Sequence, residues 1–484
     1  MLEVRLRGHA LFFAVQDLLQ LFFGRAETDE AAGLLRAPRG PTLVLTSTVG
    51  EEEVSTLRAD GRGPRAPRPA DERLLRRLLR VQLYEVLARE TGRSFPWGSL
   101  TGIRPTWLVR ERRLAGWSQL AIARELVRFY HVMPARARLA LAAERTERQQ
   151  LDLLKPGDVL LYLHIPFCPS RCGYCSFVTA TGVARPATEH RDYVAALLRD
   201  MEDFFGSDVW HRRAAAGCRI RALYVGGGTP ISLAPEAFEL LLAGLDRAAP
   251  LLAEARELTI EAGRPDCVTP AILARLREAG FTRICINPQS FDDHLLAAAG
   301  RPHGRRESEA AFALARAAGF PEIHMDLIGG LPGGTGATLL ADVRRALELG
   351  PESLTLHALA PKRGADWWET ENFRESTDLV AGFDAATRLL RRRGYRPGPL
   401  YRQKRILAGL ENCTHALPGR GGLYNTAMLS DEADVLGFGA SAMTKRVLAP
   451  GRVKRLAAPR DLRLYMARVA ELGRRRRELW EENG

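Results

Sequence analysis

The chain has 484 residues, 46% of them hydrophobic and 26% charged, with a formal charge of +13. This length exceeds a usual single domain, so two or three domains of ordinary globular composition are expected, not a disordered or fibrous chain. No apolar run approaches the roughly 20 residues that span a bilayer, so no membrane span is expected.

The N-terminal stretch MLEVRLRGHALFFAVQDLL keeps acidic residues and has no small-residue cleavage site, so a cytoplasmic protein without a signal peptide is expected. The positive charge invites a nucleic-acid partner, yet only five of the 70 basic residues are lysine, and arginine is spread along the whole chain. That is a bias in usage rather than a recognition surface, and no nucleic-acid partner is expected. The runs Arg391 to Arg393 and Arg474 to Arg477 sit at the ends of helical patterns, where cations suit the helix dipole and make a solvated face. An anionic small-molecule substrate would still gain from the positive field. Seven cysteines, an odd number in a long chain, suggest no disulfide framework. Cys218, Cys267, Cys285 and Cys413 are scattered, and Cys285 in TRICIN reads as a buried, inert thiol.

Residues 1–155 form a first region, an N-terminal α/β extension. A strand-like run at Thr42 to Thr46 is followed by a Pro/Gly/Arg-rich loop, Gly61 to Glu72. Leu74, Leu75, Leu78 and Leu79 recur at helical spacing within an amphipathic helix from Arg73 to Glu90. One further helical stretch, Gln119 to Leu154, leads to the apolar run Val159 to Leu163, which reads as a buried strand. From there strands alternate with helices. Strand-like runs fall at Ala222 to Val225, Leu258 to Ile260, Arg283 to Ile286, Ile323 to Ile328 and Leu354 to Leu359. Helices are expected at Ala234 to Asp246, Glu307 to Ala318 and Ala337 to Leu349. The succession predicts an α/β fold: a parallel sheet of about six βα units over residues 156–400, a partial TIM-like barrel with its chemistry at the C-terminal strand ends. Residues 401–484 are expected to form a C-terminal α+β region covering the substrate, with Gly-rich loops and one last helix, Asp461 to Arg477.

Within LYLHIPFCPSRCGYCSF, Cys168, Cys172 and Cys175 stand in C-x3-C-x2-C spacing just after the first buried strand. Three thiolates on one loop can hold three irons of a [4Fe–4S] cluster and leave the fourth open to a ligand. Structural zinc fits less well, because it takes four closed ligands, usually as two separated pairs. Three ordinary core cysteines are the plainer alternative.

This segment resembles the cluster loop of radical S-adenosylmethionine (SAM) enzymes. Its HIPFC and Tyr174 are similar to the coproporphyrinogen III dehydrogenase and haem-chaperone branch of that superfamily. The resemblance implies a partial (β/α)6 barrel, a [4Fe–4S] cluster, and SAM chelated to the open iron. Cleavage of SAM would give a 5′-deoxyadenosyl radical that takes hydrogen from the substrate. SLTGIRPTWLVRERR from Ser99, YRQK at Tyr401 to Lys404 and LENCTHALPG resemble segments of one dehydrogenase subgroup with an extended N-terminal region.

Several strand-end residues then acquire expected roles. Gly226, Gly227, Gly228 and Thr229 in YVGGGTP let the backbone approach a ligand closely, and they resemble the motif that binds the SAM amine; a plain tight turn is the alternative. Glu261 in TIEAGRPD can accept two ribose hydroxyls, or cap a helix. Gln289, Arg301 and Asp326 occupy positions of family residues that contact SAM, Arg301 with a fork suited to a carboxylate. Tyr162 and His164 precede the cluster with either a catalytic or a packing role. Arg402 and Lys404 could pair with substrate carboxylates, or lie on a structural strand. LGFGASAMTK, Leu436 to Lys445, reads as a binding loop or as simple turns. One departure stands out: the established dehydrogenases carry a further cysteine two positions after the last ligand, where this chain has Ser176 and then Phe177. The related haem chaperones also lack it.

The resemblance implies oxidative decarboxylation of two propionates of coproporphyrinogen III, giving protoporphyrinogen IX. The partners implied are the tetrapyrrole substrate, an electron donor such as flavodoxin or ferredoxin, and an external electron acceptor. A haem-delivering chaperone is the first alternative and an RNA-modifying radical SAM enzyme the second, with no appended RNA-binding module in its favour.

Overall fold

The computed structural model of the protein describes residues 1–101, 104–175, 185–360, 365, 367, 377–449 and 451–481. Gly102 and Ile103 of the TGIRP segment, and Ser176 and Phe177 after the last cysteine, lie outside the described residues.

The first region builds a six-stranded sheet from β1 (Leu2–Arg7), β2 (Glu27–Asp29), β3 (Leu34–Ala37), β4 (Leu43–Val49), β5 (Glu53–Arg58) and β6 (Arg65–Pro67). Their order is β2-β3-β1-β4-β5-β6. Two helices, Phe12–Phe23 and Glu72–Thr91, contribute to its core, with Val15, Leu18, Leu19 and Phe22 from one meeting Leu83, Tyr84 and Leu87 from the other. The second helix starts where Asp71 accepts a hydrogen bond from the Leu74 amide at 2.8 Å, which satisfies one of the unpaired amides of the first turn. The expected loop from Gly61 to Glu72 therefore needs correction, because its middle is the edge strand β6. Pro67 is tolerated there because an edge strand has one side with no ladder bond to lose.

Among the described residues the larger sheet has eleven strands. Six are parallel and in chain order: β7 (Val159–Ile165), β8 (Ile220–Gly227), β9 (Glu257–Glu261), β10 (Arg283–Cys285), β11 (Glu322–Gly329) and β12 (Ser353–Ala358). β7 reads VLLYLHI and is almost wholly buried, as a strand covered on both faces must be. Beyond β12 come β14 (Asn412–Ala416) and β13 (Arg396–Tyr401), both antiparallel to their neighbours. On the other flank β15 (Asp434–Phe438) runs parallel to β7, followed by the hairpin β16 (Met443–Ala449) and β17 (Arg452–Ala457). The six βα units and their helices, Pro235–Arg247, Arg305–Ala317 and Gly336–Leu349 among them, match the expected partial barrel.

Other expectations need correction. The stretch Gln119 to Leu154 is two helices, Gln119–Arg128 and Pro134–Leu151. His131 between them has φ 58°, and Pro134 opens the second helix, where its missing amide costs nothing. The last helix is also two, Leu462–Ala467 and Val469–Glu481. LGFGASAMTK is not a loop but the end of β15, a turn with Ser441 at φ 65°, and the start of β16. The run Arg474 to Arg477 is not wholly a solvated face. Arg476 is 1% exposed, pairs with Asp200 at 2.7 and 3.1 Å, and covers the Phe438 ring at 4.2 Å. Among the described residues no helix is long and apolar enough to cross a membrane.

Candidate active site

The C-terminal ends of β7 to β12 carry most of the residues singled out above. β7 runs directly into the cysteine loop, which β8 ties down. The Gly228 amide donates to Ile165 O and the Thr229 amide to Phe167 O, each at 2.7 Å. Cys168 Sγ lies 3.3 Å from Thr229 Oγ1. The Cys175 amide donates to Cys172 O at 2.9 Å, and the Gly173 amide to Ala299 O at 3.2 Å. Two arginines approach two of the sulfurs: Arg264 Nη1 is 3.9 Å from Cys168 Sγ and Arg301 Nη1 is 3.6 Å from Cys172 Sγ. Among the described residues no three His, Cys, Asp or Glu side chains are drawn together as a metal-binding set.

The glycine run at the end of β8 is needed by the protein itself. Gly227 has φ 110°, and a Cβ there would strike the His164 ring; at Gly228 it would strike the Phe167 carbonyl. With the amides of Gly227, Gly228 and Thr229 all donating inside the protein, this turn offers a ligand carbonyl oxygens rather than amides. Such a surface suits an ammonium group, not a carboxylate.

Glu261 ends β9 next to it. Its Oε1 accepts from Tyr224 OH at 2.6 Å and its Oε2 from the Gly227 amide at 3.1 Å. Burial pushes its carboxyl up to about 7, with Asp326 adding to the rise, although Tyr224 and Gly227 pull the other way. Asp326, on β11, goes in the opposite direction: despite burial, His357 and His324 hold it well below the usual carboxylate range. Its Oδ1 is 2.9 Å from His324 Nε2 and 3.3 Å from His357 Nε2. Gln289 takes φ 70°, and its backbone is pinned by bonds to Asp326 O and from the Ile328 amide at 2.9 and 2.8 Å. Its side-chain oxygen, and that of Asn287, are buried without a hydrogen-bond partner among the described residues.

Arg301 is buried and fully engaged. It donates to Tyr174 OH at 3.0 Å, Gly263 O at 2.7 Å, Asn287 O at 2.9 Å and His303 Nε2 at 3.0 Å. On β7, Tyr162 stacks against Tyr424 at 5.8 Å between ring centroids. His164 is buried with no partner on Nδ1 among the described residues, and burial lowers its pKa to about 4, so the ring is neutral. Cys285 is 1% exposed, and burial raises its thiol far above the ordinary value, consistent with an inert core residue.

Arg402 and Lys404 both have partners within the protein. Arg402 donates to the carbonyls of Leu410 and Gly409 at 3.1 and 3.0 Å and to that of Leu100. Lys404 pairs with Asp17 at 3.0 Å while remaining 66% exposed. Arg402→Ala should therefore cost about 1.5–3 kcal/mol of stability, and Lys404→Ala no more than about 1 kcal/mol. Urea unfolding compares them; a larger loss for Lys404→Ala would reverse this ranking.

The Radical SAM superfamily model matches residues 162–346. The oxygen-independent coproporphyrinogen-III oxidase-like protein HemZ of Bacillus subtilis (strain 168) is 33% identical over 395 residues, covering 79% of this chain and 76% of that protein. The chain belongs to the HemN/HemZ-type family of radical SAM proteins. The heme chaperone HemW of Escherichia coli (strain K12) is 30% identical over 65% of this chain and 77% of its own. Among solved structures, the Escherichia coli coproporphyrinogen III oxidase HemN, a radical SAM enzyme, matches with a TM-score of 0.51 at 24% identity, over 68% of this chain and 73% of that one. That last likeness bears on the fold.

Radical SAM proteins use a [4Fe–4S] cluster and SAM, and the residues here fit both. The thiols share one loop flanked by guanidinium groups. Among the described residues, the orphaned side-chain oxygens of Gln289 and Asn287 are acceptors in want of the donors that SAM carries. The sequence reading passed over Arg264, His303, His324 and Tyr424. Arg264 lies within TIEAGRPD and His324 within HMDLIGG, where the spacing of His324 and Asp326 puts both on one side of a strand. Tyr424 left no signal, because it comes from a distant segment.

Proposed function

We propose that this protein carries out the oxygen-independent oxidative decarboxylation of coproporphyrinogen III to protoporphyrinogen IX. The observation that carries this reading is the extent of the likeness to the coproporphyrinogen-III oxidase-like relative, 395 residues, well beyond the superfamily match at 162–346. In this reading Cys168, Cys172 and Cys175 bind the cluster, and the carbonyls of the Gly226–Thr229 turn receive the SAM ammonium. Glu261 and Asp326 accept from the nucleoside hydroxyls, and Gln289 Oε1 accepts a further donor. Arg301, its donors spent, positions the cysteine loop rather than gripping the SAM carboxylate. When bound, the cluster and SAM supply one-electron chemistry that removes a hydrogen atom from each propionate to be decarboxylated. The stacked Tyr162 and Tyr424 and the neutral His164 keep water from the base of the site. A small reductant protein such as flavodoxin or ferredoxin is the electron donor, and an external acceptor takes the substrate's electron.

Anaerobic incubation with SAM, a reductant, an electron acceptor and coproporphyrinogen III tests the reading. Mass spectrometry should detect a product lighter by two carbon dioxide units and four hydrogens. One observation favours a second reading: Phe177 stands where the established dehydrogenases carry a cysteine, and a heme chaperone is among the relatives. Tight haem binding with no porphyrinogen product would make the protein a haem chaperone.

A further inference from the structure

Beside the cysteine loop lies a closed run of charged side chains to which the proposed reaction gives no task beyond Arg301. Arg264 follows Glu261 by three residues, and its side chain is 2% exposed. Its Nε and Nη2 donate to Asp266 Oδ1 and Oδ2 at 2.9 and 2.8 Å, a two-pronged pair that fixes the plane of the guanidinium. Its Nη1 donates to Ser170 Oγ at 2.7 Å and reaches to 3.9 Å from Cys168 Sγ. Asp266 Oδ1 also lies 3.3 Å from His303 Nδ1. On its far side His303 Nε2 accepts from Arg301 Nε at 3.0 Å, and Arg301 Nη1 is 3.6 Å from Cys172 Sγ. A guanidinium only donates, so Nε2 is the unprotonated nitrogen and a neutral His303 carries its proton on Nδ1, facing the carboxylate. The run that leaves the loop at Cys168 thus returns to it at Cys172.

The charges in this run do not balance. Arg264 and Arg301 are both buried cations, His303 is neutral, and Asp266 is the one carboxylate among them. One positive charge is left over, and an uncompensated buried charge costs several kcal/mol. The two guanidinium groups point to the sulfurs of Cys168 and Cys172, at 3.9 and 3.6 Å.

We propose that Arg264 and Arg301, linked through Asp266 and His303, form a charge clamp beside Cys168 and Cys172 that raises the reduction potential of the cluster those residues would bind. This rests on the reading of the loop as the cluster site. One-electron reduction adds a negative charge next to the clamp, so buried cations and donors at the sulfurs favour the reduced state. Arg264 is the decisive position, because it touches the loop at Ser170 and Cys168 and is not itself among the residues expected to contact SAM.

The test compares reconstituted wild type, Arg264→Met and Arg264→Lys by iron content and by dithionite titration followed by electron paramagnetic resonance. Arg264→Met removes the charge at similar length and should lower the midpoint potential by about 59 mV, a tenfold change in the one-electron equilibrium. Arg264→Lys keeps the charge and should stay near wild type in potential. If Arg264→Met fails to hold iron while Arg264→Lys loads, the clamp is likewise supported. An unchanged midpoint in a fully loaded Arg264→Met overturns it, as does equal disruption by both substitutions, which would make Arg264 a packing residue. Failure of the wild type itself to take up a cluster would instead overturn the reading of the cysteine loop.

Discussion

Cys172→Ala is expected to abolish cluster absorbance and SAM cleavage together. Cys172 is the buried member of the three cysteines, 6% exposed. Its carbonyl anchors the Cys175 amide, and its sulfur faces Arg301. With the sulfur gone, two thiolates remain for a cluster that needs three from this loop, and Arg301 loses its anionic neighbour. Iron and sulfide content and methionine release from SAM measure the two losses. Cys218→Ala, at a buried thiol on another part of the sheet edge, should keep both and serves as the control. Full iron content and normal SAM cleavage in Cys172→Ala would remove the loop from the site altogether.

How much of this was legible in the sequence depended on whether the signal was local. The parallel strands were, because strands buried on both faces read as short, mainly apolar runs such as VLLYLHI, and their length and flanking turn residues favour strand over helix. Residues after those strands were legible for the same reason: a parallel sheet puts every strand end on one edge. Helix breaks were harder. The split at His131 turns on one residue entering left-handed backbone, which hydrophobic spacing does not report. The cation pairs were harder still. Arg402 and Arg476 look alike in sequence as exposed basic residues, yet the first is tied to three carbonyls and the second buried on Asp200. Leu100, which supplies one of those carbonyls, and Asp200 come from distant segments. The charge clamp shows both sides of this: Arg264 and Asp266 are neighbours in sequence, whereas their link to Arg301 and Cys172 exists only once β9 and β10 lie side by side.

Removing Glu261 and Asp326 should weaken SAM binding most among changes that spare the cysteines. Glu261 ends β9 and Asp326 lies within β11, both half-buried and with lone pairs left for a ligand. Loss of a hydrogen bond to a charged group at such a place costs about 1–3 kcal/mol, so Glu261→Ala and Asp326→Ala should each lower affinity by roughly 5- to 150-fold. Unchanged affinity in both would make the two carboxylates structural. Their opposite titration gives a sharper discriminator. Asp326 stays ionised because of His357 and His324, whereas burial raises Glu261 to about 7. The folded protein therefore holds a proton on Glu261 between its ordinary pKa and about 7. The stability this contributes is fully present below the ordinary carboxylate value and is lost as pH rises through about 7. Relative to Glu261→Gln, the wild type should lose about 3 kcal/mol across that window. A ligand that donates hydroxyls to Glu261 prefers its ionised form, so SAM affinity in the loaded protein should rise with pH up to about 7 and then level off. In Glu261→Gln the same titration should be flat. Calorimetric binding curves taken on either side of about pH 7 decide it. The same pH dependence in both proteins would show that SAM does not bond to Glu261.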